Sequence, residues 1–141
     1  MSSTFNDVRA AIEGRIATEM ALSPAYPVSY QNAPFTPPNN TPWIAVYLLF
    51  GANNYATLEA PATGKSFNRQ TGTLTIDIFT PVGIGAGANY TIGERVKDKF
   101  DRAKFSSLIF DPCSGLATIR PAEQEAFFQT QFSATFDAYL D

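Results

Sequence analysis

The chain has no histidine and one cysteine, and Asp, Glu, Lys and Arg make up only 16% of its 141 residues. Each shortage excludes something. Histidine titrates nearest neutrality, so its absence removes the commonest general acid–base and the commonest metal-ligating nitrogen. A lone Cys113 permits no internal disulfide and no cysteine-rich zinc site. It stands in the stretch Pro112-Cys113-Ser114-Gly115 and reads as a small turn residue. The net charge is −3, so there is no general basic field for nucleic acid. No stretch approaches the roughly 20 consecutive apolar residues of a membrane span. Near the N-terminus Arg9 and Arg15 come with Glu13 and Glu19, and no apolar run follows, which is not the pattern of a signal peptide. The expectation is a protein made and kept in the cytoplasm until it is assembled into something.

What the chain does have is apolar and aromatic surface. Hydrophobic residues make up 45% of it, with twelve Phe, six Tyr and one Trp. That is enough for one folded domain spanning 1–141, and more uncharged surface than a monomer needs. Aromatics are enriched and Lys and Glu depleted at subunit contacts, so the composition favours a protein that works through interfaces.

Residues 4–21 read as an amphipathic helix. Phe5, Val8, Ile12, Ile16 and Met20 recur at spacings of three and four, Ser3 or Thr4 can cap the first turn, and Ser23-Pro24 stops it. Val28 to Tyr30 form a short strand. Pro34, Pro37, Pro38 and Pro42 then make residues 32–38 a stiff, polyproline-like connection. Trp43 to Phe50 are apolar at every position, so that strand needs cover on both faces: helices on one, and a neighbouring subunit as the natural candidate on the other. Residues 51–63 read as a loop or the frayed end of a long hairpin. Strand character resumes over 65–80, where Leu74, Ile76 and Ile78 alternate with Thr73, Thr75 and Asp77. A glycine-rich connection leads to a second helix over 91–104, with Thr91 and Glu94 at capping-box spacing and Ile92, Val96, Phe100 and Ala103 as its apolar stripe. Short strands follow at 108–110 and 116–120. In 127–140 the residues Phe128, Phe132, Phe136 and Leu140 fit both a period of four and a period of two; Phe and Thr favour the strand.

The candidate chemistry is thin. Gly83, Gly85 and Ala88 match the G-x-G-x-x-[GA] fingerprint that cradles a pyrophosphate, but the connection from Pro81 to Tyr90 is long, and no clear parallel strand with an acidic end follows. Asp77 lies mid-strand among apolar residues and is expected to face solvent or pair with a basic side chain. Asp98 and Asp101 are interleaved with Lys and Arg and read as a solvated face rather than a metal site. Ser106-Ser107 has no base in any motif. Trp43 opens the most apolar strand and reads as buried, whereas Tyr26, Tyr30, Tyr55 and Tyr90 fall in loops and suit protein or sugar contacts. No catalytic residue, cofactor or metal ligand is assigned.

Three stretches in order carry a resemblance: "VRAAIEGRIATEM", "PVSYQNAPFTPPNNTPWIAVYLL" and "RQTGTLTIDIFTPVGIGAGANYTIGERVKDKF". The features are Pro27 to Phe35, Pro42-Trp43 opening a strand, Arg69-x-x-Gly72 before a strand that ends in Pro81, and a glycine-rich step into a helix with Phe100. Over residues 8–110 the chain resembles the tail-terminator-like subunits of long-tailed bacteriophages. The resemblance implies a mixed sheet flanked by helices and a ring, typically a hexamer, that caps the finished tail tube, ends its polymerisation and offers a surface to head-completion (stopper) proteins. It implies location in the virion tail at the head–tail junction after assembly in the host cytoplasm. It transfers no catalytic residue. The expected partners are other copies of the chain, tube protein and head-completion protein, with no membrane and no sequence-specific nucleic acid. Lys65, Phe67, Arg69, Tyr55 and Phe35 are the expected contact residues.

The expected fold is α+β: one mixed, mostly antiparallel sheet of about five strands with two helices packed on it. Alternatives from the same residues are another head–tail connector or tail tube subunit, a small carbohydrate- or peptide-binding module using loop tyrosines, and, on the glycine loop alone, a nucleotide-using enzyme.

Overall fold

The computed structural model describes residues 4–38, 40–55, 68–120 and 127–140. They form two helices, α1 (Phe5–Met20) and α2 (Gly87–Lys97), and seven strands: β1 (Val28–Ser29), β2 (Trp43–Tyr55), β3 (Asn68–Pro81), β4 (Lys104–Phe105), β5 (Leu108–Phe110), β6 (Ala117–Arg120) and β7 (Phe127–Leu140). All seven lie in one sheet of order β1-β2-β3-β7-β5-β4, with β6 also on β7. Only β1 and β2 run parallel; the other pairs are antiparallel. The fold is α+β with a mixed sheet, as expected, but with seven strands rather than about five. β1 falls where a short strand was read over 28–30; the strand not read from the sequence is β4, two residues long and too short for any side-chain period to reveal.

Thr4 caps α1: its Oγ1 accepts the Asp7 N–H at 3.1 Å while Asp7 accepts the Thr4 N–H at 2.9 Å. This reciprocal pair satisfies two of the four orphan donors of a helix start. Val8, Ile12, Ile16 and Met20 are buried against the sheet, whereas Phe5 is 52% exposed and meets Phe50 edge-on, with ring centroids 4.8 Å apart. The two long strands β3 and β7 pair along their whole length, from Asn68↔Leu140 to Pro81↔Phe127. The ambiguous C-terminal segment is therefore a strand. Its alternation is read by the sheet: Phe132, Ala134, Phe136, Ala138 and Leu140 enter the core, and Gln131, Ser133, Thr135 and Asp137 lie on the other face.

Both helices cover the same sheet face. The core joins α1 to Ile44 and Val46 of β2, Leu74, Ile76 and Ile78 of β3, Ile92 and Val96 of α2, and Phe132 and Phe136 of β7. The second helix differs from the sequence expectation. It begins at Gly87, not 91, and ends at Lys97; Phe100 is buried in the following turn. The Thr91–Glu94 capping box does not form, because Thr91 is inside the helix and its hydroxyl donates to the Gly87 carbonyl at 2.9 Å. Gly83 and Gly85 both take positive φ, 86° and 84°, which lets the connection turn back onto the sheet.

The helices are locked to each other by Arg95. Its Nε donates to Glu19 at 2.8 Å, and its Nη groups donate to the carbonyls of Glu19, Leu22 and Pro24, at and beyond the C-terminal end of α1. A cation there answers the negative helix end. Lys99 adds a 3.4 Å contact to Glu19. The hydrogen bond from Arg95 holds the Glu19 carboxyl below its ordinary value of 4.5. A depressed carboxyl contributes stability that is present above pH 4.5 and is lost as pH falls through its lower folded value. Arg95→Met is expected to destabilise by about 2–4 kcal/mol at pH 7, since it leaves a largely buried carboxylate without its main partner. The gap between the urea midpoints of the two proteins should narrow once acid protonates Glu19, leaving the part due to the backbone carbonyl bonds; an equal gap at neutral and acid pH would sink this reading.

Candidate functional site

Among the described residues no helix covers the sheet's second face, which divides into two parts. One end is closed by aromatics. Trp43 stacks on Phe79 with centroids 4.0 Å apart, Phe127 meets Trp43 edge-on at 6.0 Å, and Phe35 from the proline-rich connection lies 5.0 Å from Trp43. Trp43 is half-buried rather than buried, although its Nε1 is shielded and has no hydrogen-bond partner among the described residues. The other end is open. Tyr47 is 47% and Leu49 71% exposed, and Ile109 on the far side of the sheet is 38% exposed. The all-apolar strand is thus covered by the core at Ile44 and Val46 and by aromatics at Trp43, and it ends bare at Leu49.

Between the two parts sits Asp77. It neither faces solvent nor meets a basic residue, which corrects the expectation for it. It is 5% exposed, and its two carboxylate oxygens accept from the Gln129 and Gln131 amides at 3.1 and 2.7 Å. These glutamines stand two apart on β7 and so point to the same face, with Gln131 directly opposite Asp77. Burial raises the Asp77 carboxyl above its ordinary 3.8, against the opposing pull of the two amides. A raised carboxyl costs stability above its folded pKa, and the cost disappears as pH falls through that value. Asp77→Asn, with one glutamine amide turned over, is expected to raise stability at pH 7 by on the order of 1 kcal/mol. Thermal unfolding at pH 7 and pH 4 should show the gain only at the higher pH; a loss at pH 7 would mean the charge is needed.

The edge of the open face is shaped by polar side chains. Gln31 Oε1 accepts the outward N–H of Leu48 at 2.8 Å, beyond the point where β1 stops pairing. A bulge between Phe50 and Asn53 is held by the buried Gln70, whose amide donates to the carbonyls of Gly51 and Thr71 at 2.7 and 2.9 Å. Such devices blunt an edge against indiscriminate strand pairing.

Of the expected contact residues, Lys65 and Phe67 lie outside the described residues. Tyr55 ends β2, Arg69 is exposed on β3 opposite Tyr139 of β7, and Phe35 is half-buried against Trp43. Tyr90 lies on α2 and is 46% exposed; Tyr26 and Tyr30 pack on the core. Asp101 turns inward, accepting the Cys113 N–H at 2.8 Å. Burial and the Asp101 charge push the Cys113 thiol up to about 11, which leaves it protonated and unreactive at neutral pH. The glycine connection does not enter a parallel βαβ unit, since β3 before it pairs antiparallel with both neighbours. Asn89, in the first turn of α2, was not singled out in the sequence. It is fully buried, donates to the carbonyls of Ile78 at 3.0 Å and Phe128 at 3.3 Å, and accepts the Thr130 hydroxyl.

A sheet with one face given to helices and the other left open is a scaffold for contacts, and comparison with known proteins agrees. The family model described as phage tail terminator protein matches residues 7–106. The chain belongs to that family. The matched span is nearly the one over which the sequence resembles tail terminators, and it holds α1, the proline connection, the β2–β3 hairpin and α2. Phage tail terminator proteins are a structural family, so this chain is a phage tail structural protein. One solved structure overlays with a TM-score of 0.67 at 23% identity, covering 95% of this chain and 94% of the other, and it shows a shared fold. Among proteins of curated function none matches.

Proposed function

We propose that this tail terminator closes as a ring, six copies in the simplest case, on top of the finished tail tube, stops its polymerisation and presents the surface to which head-completion protein joins. Its partners are then other copies of itself, tube protein and head-completion protein at the head–tail junction of the virion. The observation that carries the reading is the open end of the second sheet face. Strand β2 has no charged residue in thirteen and leaves Tyr47 and Leu49 exposed, surface that a tail subunit covers on assembly. A ring of identical chains needs two different patches per copy, and a sheet with unlike edges provides them.

The test is tube length. Purified chain added to polymerising tube protein should shorten the tubes and leave a cap at one end in electron micrographs. Tubes of unchanged length without caps would remove the terminator role and favour another connector or tube subunit.

A further inference from the structure

The glycine-rich connection before α2 has no part in the function proposed above. It carries no charge: no residue between Asp77 and Glu94 is acidic or basic. Gly83 and Gly85, at φ 86° and 84°, hold a backbone that other residues rarely adopt, and they flank Ile84. Ile84 is 56% and Val82 41% exposed, so the connection ends in an apolar tip. Tyr90, in the first turn of α2, is exposed as well. Apolar side chains grouped in this way on a surface mark a contact more often than singly scattered ones do.

The open sheet face holds a groove of about 310 Å³ between β2, β3 and β7. Leu49 stands at it, 71% exposed, and Gly51, Gly72 and Thr73 leave room beside that side chain. A cavity on the order of 150 Å³ holds benzene, so the groove admits a branched aliphatic side chain and more. Asp111 and Asp137 also line it, but their charges are answered within the chain. Lys104 pairs with Ile109, which pairs with Asp137. The Phe110 N–H donates to the Ala103 carbonyl at 2.8 Å, so Arg102 stands beside Asp111. Among the described residues, what the groove leaves without a partner is its apolar part. Thr73, opposite Leu49, and Pro81, where the connection begins, are eight residues apart on β3. At about 3.3 Å per residue that is roughly 26 Å, so a tip does not fill the groove of its own chain.

We infer that the Val82–Ile84 tip of one copy seats in the groove beside Leu49 of the next copy. The inference rests on the ring proposed above and names its two faces. Tip and groove are unlike and stand toward opposite ends of β3, so each copy gives one and receives one. The contact is head-to-tail, and repetition by rotation closes it. A second copy is the occupant that the chain itself supplies. Its tip is uncharged, as the apolar part of the groove requires, and every copy that exposes a groove exposes one tip.

Two single changes at exposed side chains test it, read by sedimentation velocity with and without tube protein. Ile84→Asp spoils the tip and Leu49→Asp spoils the groove. Each variant alone should stay monomeric where the unaltered chain forms rings, its association weakened about tenfold or more. Mixed in equal amounts at high concentration, they should form dimers and nothing larger. The intact tip of the Leu49→Asp chain then enters the intact groove of the Ile84→Asp chain, and the remaining tip and groove of that pair are both spoiled. Neither a self-complementary face nor a loss of folding gives this stop at two. Should an aspartate variant not fold, Ile84→Ser and Leu49→Ser carry the test with the same pattern. A folded variant that assembles like the unaltered chain overturns the inference, and so does a mixture that stays monomeric or regains rings. An Ile84→Asp chain that forms rings but no longer stays on tube ends overturns it too, since the tip then meets tube protein. Tube capping by the unaltered chain stands in each of these cases. An unaltered chain that is monomeric both alone and on tube ends overturns the ring itself.

Discussion

Replacing Asn89 by alanine is expected to destabilise the protein by about 2–4 kcal/mol, and replacing it by aspartate by more at pH 7. Asn89 is the only polar side chain of α2 wholly buried among the described residues, and it ties the helix start to two strands. Its amide nitrogen reaches Ile78 O at 3.0 Å, Thr80 Oγ1 at 3.3 Å and Phe128 O at 3.3 Å, while its oxygen accepts from Thr130. Alanine leaves those groups without that partner in a site water does not reach, at about 1–3 kcal/mol for a buried group left unsatisfied. Aspartate has the same shape but cannot donate when ionised, and its charge would face two carbonyl oxygens. Its folded pKa would therefore be raised. The added cost is present above that value and disappears as pH falls through it. Urea denaturation should place Asn89→Asp below Asn89→Ala at pH 7 and bring the two together near pH 4, each compared with the unaltered chain at the same pH. An aspartate variant as stable as the alanine variant at pH 7 would show that the site is wet.

What the sequence made legible was periodic. Helix α1 and its Thr4 cap, strand β3 and strand β7 each repeat their pattern over enough residues to fix a face. The ambiguity in β7 was real, because four-residue spacing of Phe128, Phe132, Phe136 and Leu140 is a multiple of two. What decides it is the polar series Gln129, Gln131 and Asp137, which would ring a helix but lines one face of a strand. The start of α2 was not legible because Asn89 looks like a turn residue; its role exists only once Phe128, 39 residues later, is beside it. Asp77 was misplaced for a similar reason. Its glutamine partners lie 52 and 54 residues away, and nothing local announces them. The Arg95–Glu19 lock spans 76 residues. The β4–β5 turn lacked the Asn-Gly or Asp-Gly signal, since serines occupy its left-handed positions. The candidate site is of the same kind: Leu49, Asp111 and Asp137 come together only through the pairing of β2, β3, β5 and β7.

Gly72→Ala decides between two readings of a strand glycine by the sign of its effect. Were Gly72 merely a flexible residue in β3, alanine would stabilise by about 0.4–1 kcal/mol through the unfolded chain. The sheet argues the reverse. Gly72 pairs with Phe136, and a Cβ on Gly72 would stand 2.3 Å from Phe136 Cζ and under 3 Å from both Cε atoms. That ring cannot retreat easily, for it lies 5.1 Å from Phe110 and 6.2 Å from Phe50 and is 1% exposed. Overpacking of this kind costs about 1–3 kcal/mol, and Gly72→Val should cost more. Phe136→Ala alone opens a cavity at about 3–5 kcal/mol. The two changes together should cost less than their sum by at least about 1 kcal/mol, because the alanine methyl then enters space the ring has left. A urea double-mutant cycle measures that coupling; strict additivity would mean the ring does not rest on the glycine.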